Sequence, residues 1–479
     1  MAHALAHASF GRRHLLRVVG LGALASAALA ACGAATAPTQ APAEPAKPAE
    51  PRPEGTRPGA AAAAAPTPAP TVVPVVAGPG QTVVRYMDRA DVRYQKFAED
   101  WIKQVEQKNA KIKIQNEPIP QDWEQKVTAA LAAGAAADVL AVYGHWFRIY
   151  QEKGQLVELT NYVAKDFKPE DVSDFAQGQW KGMQLEGKQL AIPQYINING
   201  LYVNKDALKE MGAEMPGNDY THDQMLQFIT KMHKKSGDKV ERYGFSTGWT
   251  DDGFIRTITL VWGLGGMINP PEDLNKFAFT KPETIKAFQW IHEIAWKHKV
   301  GAVTAADMGG LSGGDAFWAG KLGTLFQGMH LFGVIPEGLK MDWDVLPPPK
   351  GPSTRGQRSS MDGYIIAKNS KAPDLAWELV REATSVETAR QRAKATLLIP
   401  ARKSAVPAWV EVFPNKNVKP IAETLDEARP DPRSLWKNAA PTWNALKPIN
   451  EELFVVNKIT VEEAMTKMQA AAEKAQKEG

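Results

Sequence analysis

From Thr82 onward the apolar positions of the chain alternate between strand-like and helix-like spacing. Residues 82–86, TVVRY, are rich in β-branched and aromatic side chains and read as a strand. Tyr94, Phe97, Ala98, Trp101, Ile102 and Val105 then recur at helical spacing and predict an amphipathic helix. Ile112 and Ile114 alternate with polar neighbours in a second strand. Asp122 is placed to N-cap the next helix, with Gln125 at the capping-box position. Trp123, Val127 and Leu131 form its apolar side, and Gly134 ends it. Residues 138–142, DVLAV, form a third, apolar strand. This strand–helix alternation predicts a parallel sheet covered by helices on both faces.

The alternation continues further along the chain. Thr221–Gln224 and Thr280–Glu283 have the form of capping boxes, the second with Pro282 in its first turn. They precede helical patterns carrying Met225, Phe228, Ile229 and Met232, and Ile285, Phe288 and Trp296. Pro373 and the run Thr460-Val461-Glu462-Glu463 open two more helices. No fixed-period repeat is present, which excludes a solenoid. With 479 residues and βα units throughout, the expected fold is α/β with two lobes. Ligands of open α/β sheets bind beyond the carboxyl ends of the strands, so a cleft between two such lobes is the expected site.

Before Thr82 the pattern differs. Arg12, Arg13 and Arg17 precede an apolar run, 18–31, which is too short to span a bilayer and reads as an export signal. The run closes on Leu29-Ala30-Ala31-Cys32, which resembles the lipobox of bacterial lipoproteins, so Cys32 is the expected lipidation site. The Arg12–Arg13 pair fits either a twin-arginine or an ordinary secretory leader. Residues 32–80 are expected to be a lipidated Cys followed by a disordered Ala/Pro-rich linker, because they lack the large apolar side chains that offset ordering entropy.

Composition narrows the function. Removing the three leader arginines from a net charge of +4 leaves +1, which gives no electrostatic case for nucleic-acid binding. Cys32 is the only cysteine, so an internal disulfide, a CxxC redox pair and a cysteine zinc site are all excluded. The nine histidines form no metal-ligand pair, and neither a cofactor nor a metal is expected.

Several segments together resemble the family of extracellular solute-binding proteins that includes maltose-binding protein. They are AALAAG at 129–134 followed by Asp138-Val139, YQEKGQLVEL at 150–159, and GKQLAIP at 187–193 followed by LYVNKD at 201–206. Further on come FWAGKLGTLFQG at 317–328, LPPPKG at 346–351, SKAPDLAW at 370–377 and IPAR at 399–402. The resemblance implies a two-lobe periplasmic-binding-protein-like fold (type II) with hinge strands. Crossings are expected near 193–197, near 360–364, and between Ser404 and Phe413. Lobe 1 would comprise 82–193 plus 361–408, and lobe 2 would comprise 198–359 plus 409–479. The resemblance also implies a monomeric lipoprotein outside the cytoplasm. It would bind a carbohydrate and deliver it to the transmembrane subunits of an ABC permease, with no covalent chemistry.

A sugar site needs aromatic faces and neutral hydrogen-bonding groups. Trp146 follows the 138–142 strand in the run Tyr143-Gly144-His145-Trp146, and Trp249 follows a predicted strand at 243–246. Trp443 lies in a segment similar to the one that carries a sugar-stacking Trp in the maltose binder. By the same resemblance Asp88 and Arg89 stand where a polar pair meets the ligand, and His330, after Gly328, stands near a stacking position. Asn197, near Tyr195 on the first crossing, replaces a carboxylate and suits a neutral polyol. Asp362, with Gly363 and Tyr364, closes the second crossing. His145 and Trp146 replace an acid–base pair, which argues against maltose itself.

Gly310-Leu311-Ser312-Gly313-Gly314 fits the spacing of a nucleophile elbow, but 305–309 read as loop where that motif needs a strand. A surface carbohydrate hydrolase and a binder of a glycerol-phosphate derivative remain the alternatives, since paired carboxylates are a spatial feature.

Overall fold

Strand β1, Thr82–Arg89, buries every second residue, Val84, Tyr86 and Asp88. One of its faces therefore lies against a core and the other against the solvated side. The computed structural model describes residues 74–120, 122–144, 146–248, 251–270 and 273–478. The expectations for the leader, for Cys32, for most of the spacer, and for His145 and Trp249 fall outside them.

β1 pairs in parallel with β2, Ile112–Ile119, from Thr82↔Ile112 to Arg89↔Ile119. On its other side it pairs in parallel with β3, Val139–Val142, whose four residues are all buried. The strand Gly363–Ile366 then pairs antiparallel with β3, matching Gly363 to Val142, and with Ile192–Pro193, matching Gly363 to Pro193. Helix α1, Val92–Lys108, covers this sheet with Phe97, Ala98, Trp101 and Val105. Asp91 caps α1 by accepting from the Arg93 N–H at 3.0 Å.

A second sheet has the order Thr324–Gly328, Asn199–Asn204, Trp343–Leu346, and both of its pairings are antiparallel. All six residues of its central strand are buried. Leu201, Val203, Phe326 and Leu346 face one apolar cluster, while Tyr202, Leu325 and Val345 face another. This sheet corrects the parallel expectation. The helices His222–Lys231, Asp251–Gly263 and Pro282–Trp296 do intervene, but alternation dictates that a sheet is covered, not which way its strands run. The predicted strand at 243–246 is likewise not a full strand. Tyr243 and Phe245 form single parallel bridges to Leu322 and Gly301, and the chain runs beside the 324–328 strand.

Capping also departs from expectation in two places. Asp122 precedes α2, Trp123–Ala132, but its left-handed backbone (φ 52°) leaves its side chain without a capping bond. The helix Pro282–Trp296 starts one residue later than the box at Thr280 requires, with Lys281 at the cap. Thr221 and Thr460 do form reciprocal bonds, with Gln224 and Glu463 respectively. Ser312 caps the short helix Gly313–Trp318, and its hydroxyl donates to Asp315 at 2.7 Å. That is a cap and not a nucleophile elbow. Among the described residues no helix is long and apolar enough to cross a membrane.

Two stretches of chain run from one sheet to the other, from Pro193 to Asn199 and from Ser359 to Gly363. They are tied together by Gln194 N–H donating to Asp362 C=O (3.0 Å) and Ser360 N–H donating to Asn197 C=O (3.0 Å). Gln179, fully buried, donates its amide to the carbonyls of Tyr195 (2.7 Å) and Ser360 (3.0 Å). Gln357, also fully buried, accepts from Asn199 N–H (2.9 Å) and donates back to Asn199 C=O (3.0 Å). Replacing Gln179 by Ala leaves buried carbonyls short of a donor. Urea titration should show unfolding free energy lowered by about 1–3 kcal/mol. A variant as stable as the parent would refute this role.

Candidate functional site

The pairing register brings several chain ends to one edge. Val142, Gly363 and Pro193 lie side by side, so Tyr143, Asp362 and Gln194 emerge together where β1 also ends at Arg89. A cavity of about 300 Å³ opens there between the two sheets. Arg89, Tyr143, Gly144, Trp146 and Tyr195 line it from the first sheet and the first crossing. Asn197 also lines it from the first crossing, Gly328 and His330 line it at the end of a strand of the second sheet, and Asp362 lines it from the second crossing. A depression of about 670 Å³ over Phe97 and Trp101 is larger, but only α1 and residues 391–395 line it. It draws no side chain from the second sheet or from either crossing.

Aromatic packing builds one wall. Tyr143 sits edge-on to Trp123 at 5.0 Å and tilted to Tyr195 at 6.2 Å. Trp146 starts helix α3, Trp146–Glu152, and stacks on Tyr150 at 6.3 Å. Beneath them the Asp88 carboxylate accepts from the Tyr143 hydroxyl, from the Tyr86 hydroxyl at 2.5 Å, and from the Arg89 N–H at 2.7 Å. Burial, and then the charge of Asp88, hold the Tyr86 and Tyr143 hydroxyls well above the usual phenol range, so both remain protonated donors.

The opposite wall is polar. The Asn197 side-chain oxygen accepts from the His330 N–H at 3.0 Å and lies 3.3 Å from the His330 ring nitrogen. Gly328 is required here, because a Cβ on it would stand 2.6 Å from both of those side chains. Arg358 and Arg433 each donate to the fully buried Asp431 at 2.8 Å. Asp362 accepts from the Ser360 hydroxyl and from the Gly144 N–H at 3.2 Å. Burial pushes its pKa up to about 6, against the opposing pull of those two bonds and of Arg89 and Arg358.

Three of the expected site residues do not line the cavity. Asp88 lies behind Tyr143, as described above. Tyr364 points into the first core, 6.1 Å from Tyr86, with its hydroxyl accepting from Arg392 at 2.7 Å. Asp362 lies just before the strand Gly363–Ile366, where the backbone turns, so it does not share the inward face that the strand gives to Tyr364. Trp443 sits in helix Ala439–Asn450 and packs on Phe254 at 5.6 Å, with the Arg433 guanidinium 5.1 Å over its face. Arg433 therefore stands between Trp443 and the cavity. Sequence reasoning missed Glu124, Asn199, Ile255, Arg256, Arg358, Ser360 and Arg433, all of which line the cavity. Only Asn199 and Ser360 carried a signal, their place on the crossings. The arginines come from separate elements and have no shared spacing.

Two covered sheets joined by crossing strands, with an aromatic and polar cavity at the junction, define a two-lobe binding protein. Residues 100–419 match the bacterial extracellular solute-binding proteins, and the chain belongs to that family. It is 25% identical over 300 residues to the diacetylchitobiose binding protein of Streptomyces coelicolor, covering 59% of this chain and 65% of that one. Its fold is similar to that of an ABC substrate-binding protein from Listeria monocytogenes in complex with cycloalternan, with TM-score 0.71, 22% identity and coverage of 82% and 98%. It is also similar to UgpB from Mycobacterium tuberculosis in complex with glycerophosphocholine, with TM-score 0.70, 16% identity and coverage of 83% and 98%. The family is one of solute-binding transport proteins, not of enzymes.

The raised pKa of Asp362 has a signed consequence. The folded state holds this proton more tightly than the unfolded chain, so the group's contribution is most favourable at low pH. That contribution is lost as pH rises from the ordinary Asp value through about 6. Asp362→Asn removes the dependence. Between about pH 5 and about pH 7.5 the parent's melting temperature should fall relative to the variant's. Parallel melting profiles would contradict the assignment.

Proposed function

We propose that this protein is the carbohydrate receptor of an ABC importer, held at the outer face of the membrane through lipidated Cys32. The observation that carries the reading is the junction cavity. Side chains from both sheets line it, and it combines ring faces (Tyr143, Trp146, Tyr195) with hydrogen-bonding groups (Asn197, Asn199, His330, Asp362). Sugars present C–H faces and hydroxyls, and this pairing of surfaces matches both. The ligands named for two of the three similar proteins above, diacetylchitobiose and cycloalternan, are oligosaccharides, which supports the same class.

In this reading the lobes comprise 82–193 plus 361–408 and 198–359 plus 409–479, and they move about crossings near 193–197, near 360–364 and between Ser404 and Phe413. A ligand touching both lobes favours the closed arrangement by the contacts it makes only there. The closed form is the one that the permease recognises. The receptor acts as a monomer and leaves its ligand chemically unchanged.

Thermal shift against a panel of mono- and oligosaccharides tests the reading, because a ligand that binds only the folded state raises the melting temperature. A shift with at least one saccharide is expected. Shifts with peptides alone, or release of product from a glycan, would overturn it. Trp146→Ala should weaken the binding saccharide by roughly tenfold, the worth of one lost ring face, as read by calorimetry. Cys32→Ser should move the protein from the membrane fraction to the soluble fraction of its native host, and retention in the membrane would exclude the tether.

A further inference from the structure

Arg89 holds an arrangement that a neutral sugar does not require. Its guanidinium carbon lies 3.6 Å from the ring centroid of Tyr143 and 5.9 Å from that of Trp123. Its backbone N–H donates to Asp88. Among the described residues, however, none of its guanidinium N–H groups forms a hydrogen bond to a protein acceptor. The side chain is partly buried and lines the cavity. Aromatic faces thus fix the plane of the guanidinium, while its edge, a planar fork of donors, has no acceptor from the protein. Such a fork matches the paired oxygens of a carboxylate or phosphate. These donors are not sealed in the interior but belong to a residue that lines the cavity, where a ligand can supply the acceptors.

The charge of the wall points the same way. Among the described side chains lining the cavity, four are guanidiniums (Arg89, Arg256, Arg358 and Arg433) and two are carboxylates (Glu124 and Asp362). Arg358 and Arg433 both pair with Asp431 behind them. The cavity volume, about 300 Å³, is at the lower end for small-molecule sites and suits one or two sugar rings better than a long oligosaccharide.

We infer that the ligand is a small acidic saccharide, of one or two rings, whose carboxylate or phosphate is received by the Arg89 fork while Tyr143 holds the guanidinium plane. This rests on the carbohydrate reading above and narrows it. Calorimetry on the mature protein would compare glucuronate, galacturonate and glucose 6-phosphate with neutral glucose, and a uronate-containing disaccharide with its neutral counterpart. An acidic sugar should bind at least about tenfold tighter than its neutral congener, the worth of one charge-assisted hydrogen bond. The uronate and phosphate arms identify the acidic group. Arg89→Gln should remove that preference, weakening the acidic sugar at least about tenfold more than its neutral congener. Arg89→Lys, which keeps the charge without the fork, should recover only part of it. Circular dichroism melts would confirm that both variants fold.

Neutral sugars binding as tightly as acidic ones, or Arg89→Gln weakening both alike, would overturn the inference and leave the carbohydrate reading intact. If no saccharide of either kind bound, the carbohydrate reading itself would fall.

Discussion

Two stretches of chain pass between the sheets with nearly all their residues buried, and their peptide groups need partners inside the protein. They bond partly to each other, through Gln194 to Asp362 and Ser360 to Asn197. Neighbouring backbone supplies others, as where Ile196 N–H donates to Ile399 C=O and Met329 N–H to Ile198 C=O, and two buried glutamines add more. Gln179 gathers the carbonyls of Tyr195 and Ser360 on the side of the first sheet, and Gln357 brackets Asn199 on the side of the second. An amide carries both donor and acceptor at a fixed spacing, so each glutamine ties backbone groups that are distant in sequence. The site depends on this clamp, because Tyr195, Asn197, Ser360 and Asp362 all stand on the strands it holds.

The register of the first sheet then sets what faces the cavity. Matching Gly363 to both Val142 and Pro193 aligns three chain ends, and the residue just beyond each end projects at the same edge. Aromatic residues there pack on one another and not on solvent, and Asp88 anchors the Tyr143 hydroxyl from beneath. The result is a rigid ring surface beside a bank of guanidiniums. Asp362, desolvated between them, is poised to change charge near neutrality in a way that an exposed carboxylate is not.

Much of this could be read along the chain. Helix α1 was legible because its apolar face repeats at 3.6-residue spacing, and β3 because four apolar residues stand between turn signals. Tyr143, Trp146, Asn197 and Asp362 could be singled out because each follows a strand or lies on a crossing. Tyr364 could not be separated from Asp362 on those grounds. Two residues apart on a strand share a face, but Asp362 lies just outside the strand, where the backbone turns. Trp443 illustrates the converse limit, since an aromatic in a helical pattern packs against whatever its helix meets, here Phe254 and Arg433.

Local periodicity and capping chemistry are short-range, so the chain alone set elements such as α1, β1 and β3 and which of their faces are apolar, but not whether 243–246 would complete a strand. Strand direction in the second sheet, the meeting of Arg89, Arg256, Arg358 and Arg433 around one cavity, and the inward turn of Tyr364 depend on contacts between segments tens to hundreds of residues apart. Such contacts are selected by burial and by hydrogen-bond closure over the whole molecule, and no window of sequence contains them.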